Sequence, residues 1–435
     1  MRPPFDLARY RERLATIRKP SPRGRVHTAL GITVEATGLT CRIGDLCLIK
    51  TDRAETPALV LGFRDTMTVL MPTEDLTAIA PGCEVIPAGH ALDMPVAESL
   101  LGRVIDPLGQ PLDGKPLPLS ERVPLLREPP SPMTRPSIAR PCATGVKSVD
   151  ALLTVGYGQR LGIFAGSGVG KSTLLGMIAR QAESDVNVIA LIGERGREVN
   201  HFLDDVLGER GRQRSVVVVA TSDAPPVRRY LGAFSGVAVA EYFRDRGRNV
   251  LFVMDSVTRF AMALREIGLA MGEPPTSKGY PPSVFGLLPR IVERLGTSPR
   301  GTVTGVFTVL VEGDDLSDPV ADSMRSLLDG HVVLARDLAQ RGHYPPVDVL
   351  RSVSRVMPQI VGAEHNALAQ RFRELLATYE RNRDLVDVGA YQRGSNPLLD
   401  EALRRIASCE AFLKQGAHES FTLEHTLALL KQVLA

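Results

Sequence analysis

The spacing of apolar positions changes along the chain, and each change predicts a different kind of element. Residues 26–94 carry short alternating runs, such as Ile32-Thr33-Val34-Glu35-Ala36 and the stretches 45–49, 58–62 and 68–71, broken by glycine and proline. Closely spaced strands with turn residues between them predict a small β-barrel. Residues 95–140 are rich in Pro and Gly, as in Asp106-Pro107-Leu108-Gly109 and Pro129-Pro130-Ser131-Pro132, and predict a linker with short elements. From about Thr144 onward, apolar runs of strand length alternate with helical spacing; the runs are 161–164, 188–192, 216–220, 250–254, 303–311 and 331–334. That alternation predicts an α/β domain built on a mainly parallel sheet. After about Gln359 the spacing is helical, with Leu368, Phe372, Leu375, Leu376 and Tyr379 in 364–384 and a similar pattern over 398–435, which predicts a C-terminal helical domain.

The first residues have their own pattern. Leu7, Tyr10, Leu14 and Ile17 fall at steps of three, four and three, one stripe on a helix that Pro3 and Pro4 precede and Pro20 stops. Two readings stand: a frayed terminus with solvated arginines, or a docking helix for a partner helix or an anionic lipid surface. Charge sharpens this picture. The net charge is +3, but residues 1–25 hold eight basic against two acidic side chains, which leaves −3 for the rest. The body is therefore no strongly basic nucleic-acid surface.

The remaining composition mainly excludes. With 435 residues, 44% of them hydrophobic and 23% charged, the chain is an ordinary globular one with room for two to four domains. No apolar run approaches the roughly 18 residues of a membrane span, and no apolar core follows the start as in a secretory signal. Five scattered cysteines, none at CxxC spacing, write neither a zinc ribbon nor a dithiol redox motif; they read as reduced thiols of a cytoplasmic protein.

The strongest chemical signal is Gly166-Ser167-Gly168-Val169-Gly170-Lys171-Ser172-Thr173, between the apolar run 161–164 and the helical spacing that starts at Leu174. A strand, a glycine turn and a helix in that order bring backbone N–H groups to a helix N-terminus, where phosphate oxygens bind. Lys171 then reaches the β/γ-phosphates and Ser172 offers a hydroxyl to Mg²⁺. The motif opens on Ala165 rather than glycine, a mild departure. Asp255 ends the run 250–254, which places a carboxylate at the sheet's C-terminal edge beside that loop, as a Mg²⁺ partner or as an ordinary strand-end aspartate. Glu194, just past the run 188–192, is placed to orient or deprotonate water, although Gly193-Glu194-Arg195-Gly196-Arg197-Glu198 also reads as a surface charge cluster. Phosphoryl transfer needs a further cation on the developing charge. Arg355 is a candidate, but spacing alone does not choose it among 52 basic residues.

The motifs GSGVGKST (166–173), GERGRE (193–198), DSVTRFAMA (255–263), KGYPPSVF (278–285), GHYPPVDV (342–349) and SVSR (352–355) together resemble the catalytic subunits of rotary F- and V-type ATPases. Residues 160–172, 272–285 and 311–319 narrow the likeness to the type III protein-export ATPases of flagella and injectisomes. The resemblance implies a P-loop NTPase core, with an N-terminal β-barrel and a C-terminal helical domain, over a division into 1–25 (basic arm), 26–94 (barrel), 95–360 (linker and ATPase domain) and 361–435 (helical domain). It implies that Gly166 to Gly170 cradle phosphate, that Lys171 and Ser172 bind phosphate and Mg²⁺, and that Thr173 lies near the α-phosphate. Glu194 matches the catalytic carboxylate with Arg195 beside it, and Asp255 the Mg²⁺-associated carboxylate. Tyr344 matches the aromatic that stacks on adenine, Arg355 the arginine finger, and Arg259 a further arginine near the γ-phosphate. Because Glu194 and Arg355 share one chain, a ring of identical subunits, a hexamer, completes every site, and 272–285 would line its pore. The implied substrate is ATP with Mg²⁺. The implied partners are a regulator or stator protein on the arm, a central stalk, export chaperones and substrates, and the membrane export gate, with no nucleic acid. The implied place is the cytoplasmic side of the inner-membrane export apparatus.

Three other functions compete. A rotary proton-motive subunit uses the same site, but the short basic arm before the barrel favours export. A hexameric RNA translocase also carries loop and finger on one chain, yet the body is net negative and the barrel lacks paired aromatics. A non-catalytic nucleotide-binding scaffold sits poorly with an intact Lys171, Glu194, Asp255 and Arg355. Flagellum and injectisome are not distinguished.

Overall fold

The computed structural model describes residues 22–435 other than 53, 119, 312–314 and 316, and all of His90 but its side chain. The arm stripe Leu7, Tyr10, Leu14 and Ile17, and part of the 311–319 motif, lie outside the described residues. The chain divides into two compact units, one ending at Leu92 and the other starting at Asp93.

In the first unit six strands, β1 (Gly24–Leu30), β2 (Thr33–Thr37), β3 (Asp45–Lys50), β4 (Glu55–Arg64), β5 (Met67–Pro72) and β6 (Glu84–Ala91), close into a barrel in the order β1-β2-β5-β4-β3-β6. Burial alternates along β2 and β3, as a two-residue side-chain period requires. The inward positions, Val26, Val34, Ala36, Cys47, Ile49, Ala58, Val60, Leu70 and Val85, are small or branched and fill the narrow interior. Gly24 and Arg25 already pair with β6, so the first strand begins inside the stretch read as the arm.

In the second unit the short elements of 95–140 are paired into sheets. In it, β7 (Asp93–Val96) pairs with β9 (Glu121–Pro124), so Met94 belongs here rather than to the barrel. The short strand β8 (Val104–Ile105) joins the central sheet beside β12 (Ser215–Thr221). That sheet also holds β10 (Arg160–Ala165), β11 (Val186–Glu194), β13 (Asn249–Asp255), β14 (Gly296–Thr297), β15 (Thr302–Leu310), β16 (Gly330–Leu334) and β17 (Val347–Ser354). Its order is β17-β16-β10-β15-β13-β11-β12-β8, with β14 paired to β15. The central strands are parallel and buried on both faces, hence the continuous apolar runs; β14 and β17 run antiparallel. Leu125, next to β9, is tied in by a buried ion pair: Arg294 donates two hydrogen bonds to Glu241 (3.0 and 2.6 Å) and one to the Leu125 carbonyl (2.7 Å).

Three helices, Ala363–Asp387, Pro397–Leu413 and Leu423–Leu434, form the C-terminal helical region. Asn396 and Thr422 cap the last two by accepting backbone N–H groups. Phe372 and Phe412 pack ring on ring at 5.6 Å. They share one apolar cluster with Val347 and Val349 of β17 and with the sheet interior, so the helices and the sheet have a common core.

Candidate nucleotide site

The site grows out of the end of β10. After Ala165 the chain turns through Gly166 to Gly170 into the helix Lys171–Gln181. Val169 is buried in the core and pins the turn, while Ser167 and Gly168 just before it reach the surface. Gly168 and Gly170 have φ of +76° and +102°, left-handed values that a side chain strains. The first turn of the helix presents its free N–H groups and the exposed Ser172 and Thr173. They open into a cleft of about 380 Å³, whose other walls include Gly193, Glu194, Glu198, Ser222 and Arg259.

Three charged side chains meet at the base of the cleft. The Lys171 Nζ donates to Glu194 Oε1 (3.3 Å) and to Asp255 Oδ1. Burial disfavours the ammonium, but the two carboxylates outweigh burial and hold its pKa above the usual lysine value. Burial, helped by the Asp255 charge, pushes the Glu194 carboxyl up to about 7. The four-residue step from the end of β11 into the short helix Gly196–His201 brings Glu198 to hydrogen-bond Glu194, which keeps the Glu198 carboxyl below its ordinary value. The sequence alone gives Glu198, the last residue of the GERGRE motif, no role; an acid four residues from Glu194 is the available signal.

Asp255 ends β13, is 3% exposed, and also accepts from Thr308 Oγ1 at 2.8 Å. Nothing in the sequence singles out Thr308, because the same strand also holds Thr302 and Thr304. Arg195 stands on the rim, mostly exposed, 3.7 Å from Glu198. Arg259 lies inside the same cleft, on the helix Val257–Ala270, with a buried Nε that no group among the described residues accepts. Its side chain packs on Gly193, where an added Cβ would stand 2.7 Å from the Arg259 Cβ.

Tyr344 sits on the loop before β17. Pro346 of that loop faces Gly170, 3.6 Å from where a Cβ on that glycine would be, so the loop flanks the phosphate turn. The Tyr344 side chain is half exposed. Arg355 is not brought to this cleft. It follows β17 at the far edge of the sheet, where its N–H donates to the Asp329 carbonyl (3.0 Å) and its guanidinium to the Arg325 carbonyl (3.3 Å). In the 272–285 stretch, residues 274–278 are exposed, and Lys278 pairs with Asp318 at 3.3 Å.

Residues 145–354 match the model of the ATP synthase alpha/beta family nucleotide-binding domain, and residues 361–432 that of the T3SS EscN ATPase C-terminal domain. The chain is 52% identical over 415 residues to the flagellum-specific ATP synthase of Bacillus subtilis (strain 168), covering 94% of each. The chain belongs to the type III export ATPase family. Its fold is also that of the assembled ATPase EscN from the enteropathogenic E. coli type III secretion system (TM-score 0.91, 42% identity, 95% of this chain and 100% of that one). A second structure shows EscN in complex with its central stalk EscO (TM-score 0.88, 41% identity, 95% of this chain and 100% of that one). Among the described residues of this export ATPase no helix is long and apolar enough to cross a membrane.

Proposed function

We propose that this export ATPase hydrolyses Mg²⁺-ATP at a site shared between neighbouring subunits of a homohexameric ring, and that hydrolysis drives the release, unfolding or entry of exported proteins. The convergence of Lys171, Glu194 and Asp255 below the phosphate loop carries this reading. Lys171 is the cation for the β- and γ-phosphate oxygens, and Thr173 a hydroxyl for the α-phosphate. Ser172 and Asp255 are hard oxygen donors at a helix start and a strand end, the donor set that suits Mg²⁺ held mainly through phosphates and water. When bound, that ion offsets the charge of the phosphate oxygens. Glu194 orients the attacking water and takes its proton; a carboxyl with a pKa near 7 suits a base working at neutral pH. Arg195 supports Glu194 from the rim. Arg259 supplies a cation near the γ-phosphate within the subunit, and Arg355 supplies one from the neighbouring subunit. Tyr344 stacks on the adenine.

The assembled EscN and its complex with a central stalk support a ring around a stalk protein for this chain as well. In that ring the 272–285 stretch, exposed at 274–278, faces the pore. The arm engages a regulator or stator, and the ring meets chaperones, their cargo and the export gate on the cytoplasmic face of the inner membrane. The test is Glu194→Gln, which keeps the shape of the side chain and removes the base. It is expected to bind ATP as the wild type does while turnover falls by about 10² or more. Wild-type turnover in that variant would sink the assignment.

A further inference from the structure

A single residue of the helical region is hydrogen-bonded both to the loop that carries Tyr344 and to the segment 145–147. Gln415 lies between the helices Pro397–Leu413 and Leu423–Leu434 and is 6% exposed. Its backbone N–H donates to the Tyr344 carbonyl at 2.9 Å. Its side-chain Oε1 accepts the Lys147 N–H (2.8 Å), and its Nε2 donates to the Gly145 carbonyl (2.8 Å) and the Glu419 carbonyl (3.0 Å). The stretch 414–422 between these two helices, the C-terminal linker, is also tied to the last turn of the phosphate-loop helix. Arg180 donates to the Ala417 carbonyl (2.6 Å), and Gln181 to that of Glu419 (2.7 Å).

The residue type matters. An amide meets one donor and two acceptors at once. A carboxylate at this place would face two carbonyls, and an apolar chain would take the side-chain partner from the buried Lys147 N–H and Gly145 carbonyl. The half-exposed Tyr344 ring has little packing of its own to hold it, so its backbone must set its direction. We propose that Gln415 is a positioning residue for base recognition: its amide anchors the linker on Gly145 and Lys147, and its N–H then fixes Tyr344 against the purine ring. This rests on reading Tyr344 as the base-stacking side chain. It also gives the helical region a lever on nucleotide affinity, because a shift of the linker that breaks the Gln415–Tyr344 bond loosens the base while the phosphates stay held.

The test separates base from phosphate. Calorimetric titration of the full chain with Mg²⁺-ATP and with Mg²⁺-tripolyphosphate, which has no base, is compared for wild type, Gln415→Met, Tyr344→Ala and the double variant. Gln415→Met is expected to weaken ATP binding about tenfold, with tripolyphosphate binding within about twofold of wild type. In the Tyr344→Ala background it should cause no further loss. Unchanged ATP affinity in Gln415→Met would overturn the proposal, and so would equal weakening of both ligands, which marks a pin of the fold rather than of the base. If Tyr344→Ala leaves ATP affinity unchanged, the reading of Tyr344 itself fails. Gln415→Asn, which keeps the amide on a shorter stem, carries the same comparison should Gln415→Met not fold.

Discussion

Arg355 and Lys171 stand at opposite edges of one sheet. Ser354 pairs with Gly330, which pairs with Leu161, at the edge where β10 begins. Val347 pairs with Leu334, which pairs with Ala165, at the edge where the phosphate loop begins. Four residue steps of strand, about 13 Å, separate the two edges. An exposed arginine so placed faces away from the cleft of its own subunit and toward whatever packs on that edge of the sheet.

A finger in that position is expected to work in trans. Arg355→Ala should bind ATP nearly normally, and its turnover should fall by about 10³ or more. Lys171→Ala should be inactive and bind ATP weakly. Mixing the two inactive variants should restore some activity, because certain interfaces regain an intact loop and an intact arginine. Steady-state ATPase assays on mixtures that co-assemble decide this; hydrolysis by isolated Arg355→Ala at the wild-type rate would refute it.

Gly193 is expected to tolerate no side chain. Its φ is +73°, and an added Cβ would stand 2.7 Å from the Arg259 Cβ, so Gly193→Ala strains the end of β11 or displaces Arg259. The strain amounts to about 1–3 kcal/mol. Because Glu194 is the next residue, turnover should drop at least about tenfold while the circular dichroism spectrum and melting cooperativity are kept. Unaltered turnover would show that the Arg259–Gly193 packing is dispensable for hydrolysis.

Asp150 is expected to make stability depend on pH. Its fully buried carboxyl receives Thr144 N–H (2.8 Å), Thr144 Oγ1 (2.7 Å) and Gly145 N–H (2.9 Å), yet burial pushes its pKa up to about 7. The unfolded chain releases this proton near pH 4, so between about 4 and 7 the folded state holds the extra proton. The contribution is then full below about pH 4 and is lost as pH rises through 7. Measured by denaturant unfolding, the stability of wild type relative to Asp150→Asn should fall across that window, by up to about 4 kcal/mol. A relative stability that instead rises with pH would mean that the three donors hold Asp150 as a carboxylate.

The parts of this protein legible in its sequence are those that local chemistry decides. The phosphate turn could be read because glycines at φ of +76° and +102° and a lysine at a helix start form one contiguous unit. Glu194 and Asp255 could be read because apolar runs set where strands end, and the barrel because its side chains alternate with a period of two. Arg355 and Tyr344 were reached through motif likeness, since nothing in their spacing marks them. Other features depend on residues far apart in the chain, which only packing brings together. The sheet took Val104 and Ile105 from a stretch rich in proline and glycine because β12 offered an open edge. Thr308 found Asp255 across the β13–β15 pairing, Arg259 found Gly193, and Gln415 found Tyr344, a contact between residues 71 positions apart in the chain. Side-chain period and turn chemistry set elements over a few residues, but partners across such separations follow from how the sheet is ordered and how the last helices dock on it, which the free energy of the folded whole selects.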